Sequence, residues 1–451
     1  MTVNVFGPYQ AKPSRPRSPD ISFTAPGNED FLFRNSAAPA RLVCLPYLRA
    51  YDLTWTLSPN CVQAPLRTGH AAVRFDNSFA LDLPLNGLAP GFYDVQVTIT
   101  TGESQRLQAS TTLGWQVDNL QVHPVRPADF DAFWATQLTA LDAISPAPSV
   151  VLERTLRDAE IDAYNLASAA IPANYDPAGS RARTVEIHRV RFTSQGGMTV
   201  EGWFTKPVGP GPFPSLLILP GAGNGPRPAP VEHARHGYAT LDIQAHGNPV
   251  DATNNTRQAE PLALYLNALQ AVRALKQLPS VNPDRIAVIG GSQGGRLTLV
   301  VAALDPTIKA AIPAIAHFAY VPWSRWTQRL NQEKAHGGDA GFTGERLTPA
   351  APTPDATTSP ASLATTSPAS ATSADAAQFD YYLDPLNFAS RITCPVLMNC
   401  GLTDPVSPAT AIYAAYHAIP GPKQIIPLPN TGHDWSPAFD RHAWHWLAGV
   451  L

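Results

Sequence analysis

Two hydrophobic patterns divide the chain. Between Phe31 and Val117, apolar and polar residues alternate in short runs: Arg41–Leu45, Leu53–Leu57, Ala72–Phe75, Phe79–Leu83 and, after a Pro-Gly turn, Gly91–Ile99. A period of two is the signature of a strand with one buried face and one wet face. About seven such strands at this spacing predict an immunoglobulin-like β-sandwich over residues 29–118. Its plainest role is a structural cap or spacer, with a carbohydrate-binding module as the other reading, and Trp55 and Trp115 read as core. Beyond residue 119 the runs are apolar throughout: Ser215–Leu219, Ile286–Ile289, Ala310–Ala314, Cys394–Cys400 and Gln424–Leu428. Helical runs such as Leu297–Leu304 separate them, so residues 119–451 are expected to form a mostly parallel sheet wrapped by helices, an α/β class.

Two segments follow neither pattern. Residues 1–28 are rich in Pro and polar residues and predict a poorly ordered tail. Residues 346–378 are nearly all Ala, Ser, Thr and Pro, and Thr357–Ser362 recurs as Thr365–Ser370. Such a composition predicts a disordered insertion. Lengthening a loop costs only about 0.6 kcal/mol per doubling, so a tolerated surface insertion is favoured over a lid. The flanking Phe318–Leu330, with Trp323 and Trp326, is the better candidate for a pocket wall.

The candidate chemistry sits at the ends of the apolar runs. Ile286–Ile289 leads into Gly290-Gly291-Ser292-Gln293-Gly294, a G-x-S-x-G turn between a strand and a helix. Small residues on both sides of Ser292 allow a turn sharp enough to present its hydroxyl at the sheet edge. A serine nucleophile needs a base and an orienting carboxylate, in the chain order Ser, Asp, His for this arrangement. Asp404 follows the run Cys394–Cys400, and His433 follows Gln424–Leu428. The predicted roles are Ser292 as nucleophile, His433 as general base and acid, and Asp404 as the group that orients it. An oxyanion would be met by the backbone N–H of Gln293 and by a second donor, Ala222, in the glycine-rich loop after Ser215–Leu219. This constellation predicts an α/β-hydrolase.

These residues resemble the acetyl xylan esterases and cephalosporin C deacetylases of carbohydrate esterase family seven. The resemblance runs from about Val122 to the C-terminus. It rests on Pro127–Trp134, Gly290–Gly295, Asp384–Ala389, Pro395–Met398, Gly401-Leu402 with Asp404, and Ala411–Tyr416. It implies the same triad, Ser292, Asp404 and His433, and an acetyl ester of a carbohydrate as substrate. Three positions depart from the family: Gln244-Ala245-His246 stands for Arg-Gly-Gln, Pro220-Gly221-Ala222 for His-Gly-Tyr, and Asp434 for Glu. They predict a divergent branch with a reshaped pocket.

Composition narrows the classes. The chain has 451 residues and a net charge of -3, enough for a large core and without the positive charge that favours nucleic acid or an anionic membrane. Its 4 cysteines are too few for a disulfide scaffold; buried thiols are expected, and a Cys44–Cys61 pairing stays open. No apolar run spans a bilayer. Met1–Asp20 has no apolar centre, so a cytoplasmic location is read, with secretion or a periplasmic location open if a leader was removed. Acyl transfer through Ser292 needs no metal or cofactor. The expected partner is a small acylated carbohydrate, with homo-oligomerisation open. The alternatives are an acyl thioesterase or acyltransferase, and a catalytically inactive carbohydrate-binding protein.

Overall fold

The computed structural model describes residues 21–34, 40–46, 50–74, 79–101, 106–167, 182–223, 227–251, 259–317, 319–324 and 379–451. The first part of the chain is all strand: β1 (Ile21–Thr24), β2 (Leu32–Phe33), β3 (Ala40–Pro46), β4 (Ala50–Pro59), β5 (Arg67–Arg74), β6 (Phe79–Leu83), β7 (Gly91–Thr101) and β8 (Arg106–Trp115). They form a three-stranded sheet, β1-β3-β6, and a five-stranded sheet, β2-β8-β7-β4-β5. Alternation decides what each face meets. Leu57, Val95 and Val97 are fully buried in an apolar cluster shared with Leu42, Leu81 and Leu83 of the smaller sheet, whereas Gln96 and Ser110 point outward. Trp115 is buried, and Trp55 packs partly buried against the same cluster. The tail expected over residues 1–28 ends earlier, because Ile21–Thr24 pairs with β3. Ile21-Ser22-Phe23-Thr24 alternates like the other strands and buries Phe23; the proline content before it hid that pattern.

The rest of the chain is built on a nine-stranded sheet. In sequence it runs α1 (Phe130–Asp142), β9 (Ser149–Arg157), α2 (Asp158–Ala167), β10 (Thr184–Thr193), β11 (Thr199–Pro207), β12 (Phe213–Leu219), α3 (Val231–Arg235), β13 (Ala239–Ile243) and α4 (Pro261–Lys276). It continues with β14 (Val281–Gly291), α5 (Gln293–Leu304), β15 (Ala310–Ala314), α6 (Leu386–Ala389), β16 (Val396–Gly401), α7 (Ala409–Ala418), β17 (Lys423–Leu428) and α8 (Pro437–Val450). The sheet order is β17-β16-β15-β14-β12-β13-β11-β10-β9. Strands β12 to β17 are parallel to their neighbours within that group, and β9, β10 and β11 add an antiparallel edge.

Burial on both faces explains the continuous apolar runs. Leu217 and Val288 face α4 and α5 in one cluster, while Leu216, Ile218, Ala287, Ile289 and Ile312 face Phe439 and Leu447 of α8 in another. Each large aliphatic side chain so enclosed contributes about 1.5–3 kcal/mol relative to exposure. The N-terminal strands lean on this sheet's helices. Phe92 and Tyr413 form a tilted pair with ring centroids 4.7 Å apart, and His417 Nε2 lies 3.0 Å from the Val117 carbonyl. Asn430 bridges the two halves: its amide donates to the Phe23 carbonyl (3.2 Å) and accepts from Thr111 Oγ1 (2.9 Å). No disulfide joins Cys44 to Cys61. No described helix is long and apolar enough to cross a membrane. The Ala/Ser/Thr/Pro insertion over 346–378, Phe318 and Trp326 lie outside the described residues.

Candidate active site

Strand β14 and helix α5 meet at Ser292, whose φ of 58° and ψ of −118° are unfavourable for a residue with a side chain. Such a conformation costs about 1–3 kcal/mol and persists only where its surroundings over-determine it. Here the Ser292 N–H donates to the Ala314 carbonyl (3.0 Å), and the Ser292 carbonyl accepts from the N–H groups of Arg296 (3.1 Å) and His317 (3.1 Å). The strand and helix also cross too closely for side chains. A Cβ on Gly290 would stand 2.5 Å from the Gly294 backbone, and one on Gly294 would stand 2.0 Å from the Leu219 carbonyl. The G-x-S-x-G spacing is therefore a packing requirement of the turn that lifts the serine hydroxyl out of the sheet.

The other two predicted residues arrive from neighbouring strand ends. Asp404 follows β16, and His433 follows β17. The two loops are joined where the Thr403 N–H donates to the Thr431 carbonyl (3.1 Å). Asp404 Oδ1 accepts from the backbone N–H groups of Val406 (2.8 Å) and Ser407 (2.9 Å), which fixes the carboxylate plane. Its Oδ2 lies 2.7 Å from His433 Nδ1, and His433 Nε2 lies 2.8 Å from Ser292 Oγ. The Asp404 side chain is 0% exposed and that of His433 25% exposed, so the base faces the solvent side while its partner is sealed in. The other carboxylates near these loops have different surroundings. Asp434 is exposed. Asp242 is held by Arg227 at 2.7 Å, and burial still pushes its carboxyl up to about 6.

Gln293 is the first residue of α5, so its N–H belongs to the helix turn that has no partner within the helix. Leu219 is in register with Gly290, which runs the loop from Pro220 to Gly223 beside the serine turn. Ala222 is exposed in that loop, and Gly221 faces the Gly291 carbonyl.

Three features were not singled out from sequence. His246, within the departure from Arg-Gly-Gln, sits against the Gln293 side-chain amide at 3.4 Å, and its Nδ1 accepts the Ala259 N–H at 3.1 Å. His317, just after β15, lies near Arg296, His433 and Asp404; burial, aided by the Arg296 and His433 charges, pushes it down to about 4, so the ring is neutral. Its only signal in sequence is a polar residue directly after an apolar parallel strand. The third is a cavity of about 950 Å³ lined on one side by His317 and Thr403–Val406 and on the other by residues of β4, β7 and β8. Trp323 is not on it; that side chain is buried with Val62, Tyr320 and Leu386. Among the described residues, no group of three or more His, Cys, Asp or Glu side chains is arranged to hold a metal ion.

Comparison with known proteins agrees with this architecture. The acetyl xylan esterase (AXE1) family profile matches residues 262–333 and 363–450, the stretch that contains Ser292, Asp404 and His433. An acetyl esterase of Xylanibacter ruminicola is 24% identical over 450 residues, covering 92% of this chain and 88% of that protein, so the likeness includes the N-terminal strands. The acetyl xylan esterase of Paenibacillus sp. R4 superposes with a TM-score of 0.51 at 23% identity, covering 74% of this chain and 99% of its own. Acetyl xylan esterase 1 of Thermoanaerobacterium sp. JW/SL YS485 does so with a TM-score of 0.51 at 20% identity, covering 73% and 96%. The two structures share the α/β-hydrolase fold, while the family profile and the near full-length relative make the chain similar to the acetyl xylan esterases and mark it as a serine carboxylic ester hydrolase.

Proposed function

We infer that the protein is a carboxylesterase that removes short acyl groups, acetyl above all, from carbohydrate esters through a covalent acyl-Ser292. The observation that carries this reading is the unbroken hydrogen-bonded chain from Ser292 Oγ through His433 to Asp404, at 2.8 and 2.7 Å. The Ser292 hydroxyl attacks the ester carbonyl while His433 Nε2 takes its proton, and the oxyanion is met by the N–H groups of Gln293 and Ala222. The imidazolium, stabilised by Asp404, returns the proton to the leaving alcohol. Water then attacks the acyl-enzyme with His433 again as base, releasing the acid and restoring Ser292. Within this reading the N-terminal sheets form an immunoglobulin-like sandwich over about 29–118.

A series of 4-nitrophenyl esters of rising acyl length tests the acyl class. Each added methylene shifts discrimination by only about 1–3 kcal/mol, so kcat/KM should decline by steps from acetate to butyrate. Higher kcat/KM on the octanoate than on the acetate would point to a lipase- or thioesterase-like enzyme and contradict the reading.

A further inference from the structure

The 950 Å³ cavity has a wall that the hydrolase fold does not supply. Thr56, Gln96 and Ser110 form one cross-strand row on β4, β7 and β8, and Ser58, Asp94 and Thr112 form the next. All six line the cavity, across from His317, Thr403 and Asp404. The side chains between them on β4 and β7, Leu57 and Val95, point into the apolar core, so the polar row is the outer face of the five-stranded sheet.

This wall is fixed in place. Asp94 Oδ1 accepts from Asn60 Nδ2 (3.0 Å) and Thr112 Oγ1 (2.8 Å), and its Oδ2 accepts from the Cys61 N–H (2.7 Å). Asn60 Oδ1 in turn accepts the Thr410 N–H (3.2 Å) at the start of α7, just beyond the Asp404 loop. The sandwich face is thereby tied to the loop that carries the predicted catalytic acid.

Its chemistry selects a ligand. Among the described residues the lining holds hydroxyls, the carboxamides of Asn60, Gln63 and Gln96 and two carboxylates, and no Lys or Arg. A phosphorylated or uronic acid group would meet the Asp94 carboxylate, whereas the hydroxyls of a neutral sugar can donate to it and can both donate to and accept from the hydroxyls and amides of the rows. Among the described residues the lining offers hydroxyl and amide groups that meet the hydroxyl edges of a sugar. Position selects which part of the ester this is. The cavity borders Asp404 and His317, and His317 neighbours His433, which places it beside the group that would hand its proton to the leaving alcohol; none of Ser292, His433, Gln293 and Ala222 is on its lining. Its volume is at the upper end of the roughly 300–1,000 Å³ of small-molecule sites, far more than an acetyl group needs.

We propose that the outer face of the N-terminal five-stranded sheet is the subsite for the alcohol part of the substrate, a neutral polyhydroxylated sugar of more than one unit. This rests on the esterase reading above. Gln96 and Ser110 are the exposed members of the wall and contact no predicted catalytic group, so Gln96→Ala/Ser110→Ala tests it without disturbing the triad. Loss of two neutral hydrogen bonds should lower kcat/KM on an acetylated xylo-oligosaccharide by about tenfold while leaving kcat/KM on 4-nitrophenyl acetate within about twofold. The deacetylated xylo-oligosaccharide should inhibit aryl acetate hydrolysis by the wild type competitively, with an inhibition constant that rises by a similar factor in the double variant. Ser110→Phe, which fills the cavity, should exaggerate the same split. Equal effects on both substrates, or none on the oligosaccharide, would overturn the subsite. Failure of the wild type to hydrolyse even 4-nitrophenyl acetate would instead overturn the esterase reading.

Discussion

Ser292 is held in a strained backbone conformation by hydrogen bonds from three directions, and its hydroxyl is aligned with a base whose far nitrogen is already engaged. Nucleophile and base act as one unit, so Ser292→Ala or His433→Ala should each lower kcat by about 10⁶-fold with an unchanged melting transition. Asp404→Asn should cost about 10⁴-fold, since the amide favours the wrong imidazole tautomer. Asp434→Asn should stay near wild type; a larger loss there than at Asp404 would reverse the assignment. His317 carries a stability prediction. In the unfolded chain it takes up its proton near its ordinary value of 6.5, in the folded protein only near about 4. Between those values the unfolded state binds the extra proton, so stability falls as the pH drops through the window. His317→Gln removes that loss, so the wild type should weaken relative to the variant between about pH 7 and about pH 4.5 in thermal melts, while a constant difference would exclude a neutral His317. Ser292, Asp404 and His433 were legible in the sequence because strand ends and small residues mark them locally. His317, Asn60 and Asp94 were not, because no local pattern marks them and their partners come from other elements, Thr112 for Asp94, Thr410 for Asn60, and Arg296, Asp404 and His433 for His317.

At the scale of elements, the strands most readily foreseen are those buried on both faces. Ala310–Ala314 was read with the bounds it has, and Ser215–Leu219 falls within two residues of β12. Continuous burial leaves a continuous apolar run, which no alternation can blur. Strand β9 went unread for the opposite reason: Val150, Val151 and Leu152 are 42%, 57% and 56% exposed at the sheet edge, so no facing pattern forms. The crossing of β14 and α5 gives a packing prediction. A methyl on Gly294 would collide with the carbonyl of Leu219 on β12, and neither backbone can give way without shifting a central strand. Gly294→Ala should therefore destabilise the protein by at least about 2–3 kcal/mol in denaturant melts. A loss below about 0.5 kcal/mol, the level of an ordinary surface change, would mean the crossing is looser than described.

Over the whole molecule, the boundary near residue 119 visible in sequence is not a boundary in the core. Residues of the N-terminal sheets and of the nine-stranded sheet share one apolar cluster, and Asn60, Thr111, Val117 and Asn430 lace the two parts together. Composition could separate the segments but could not show which face of one meets the loops of the other, since an outward polar row looks alike whether it meets water or a cavity. A chain built this way should unfold in a single calorimetric transition, and two resolved transitions would show that the halves are energetically separate. The cavity that both halves enclose has meaning only if Ser292 becomes acylated beside it. The most direct measurement is rapid quench of the enzyme during turnover of 4-nitrophenyl acetate, followed by mass spectrometry of its peptides. The account predicts a single acetyl group on the peptide that carries Ser292, with neither adduct nor turnover in Ser292→Ala; an acetyl group elsewhere, or turnover retained by that variant, would contradict it.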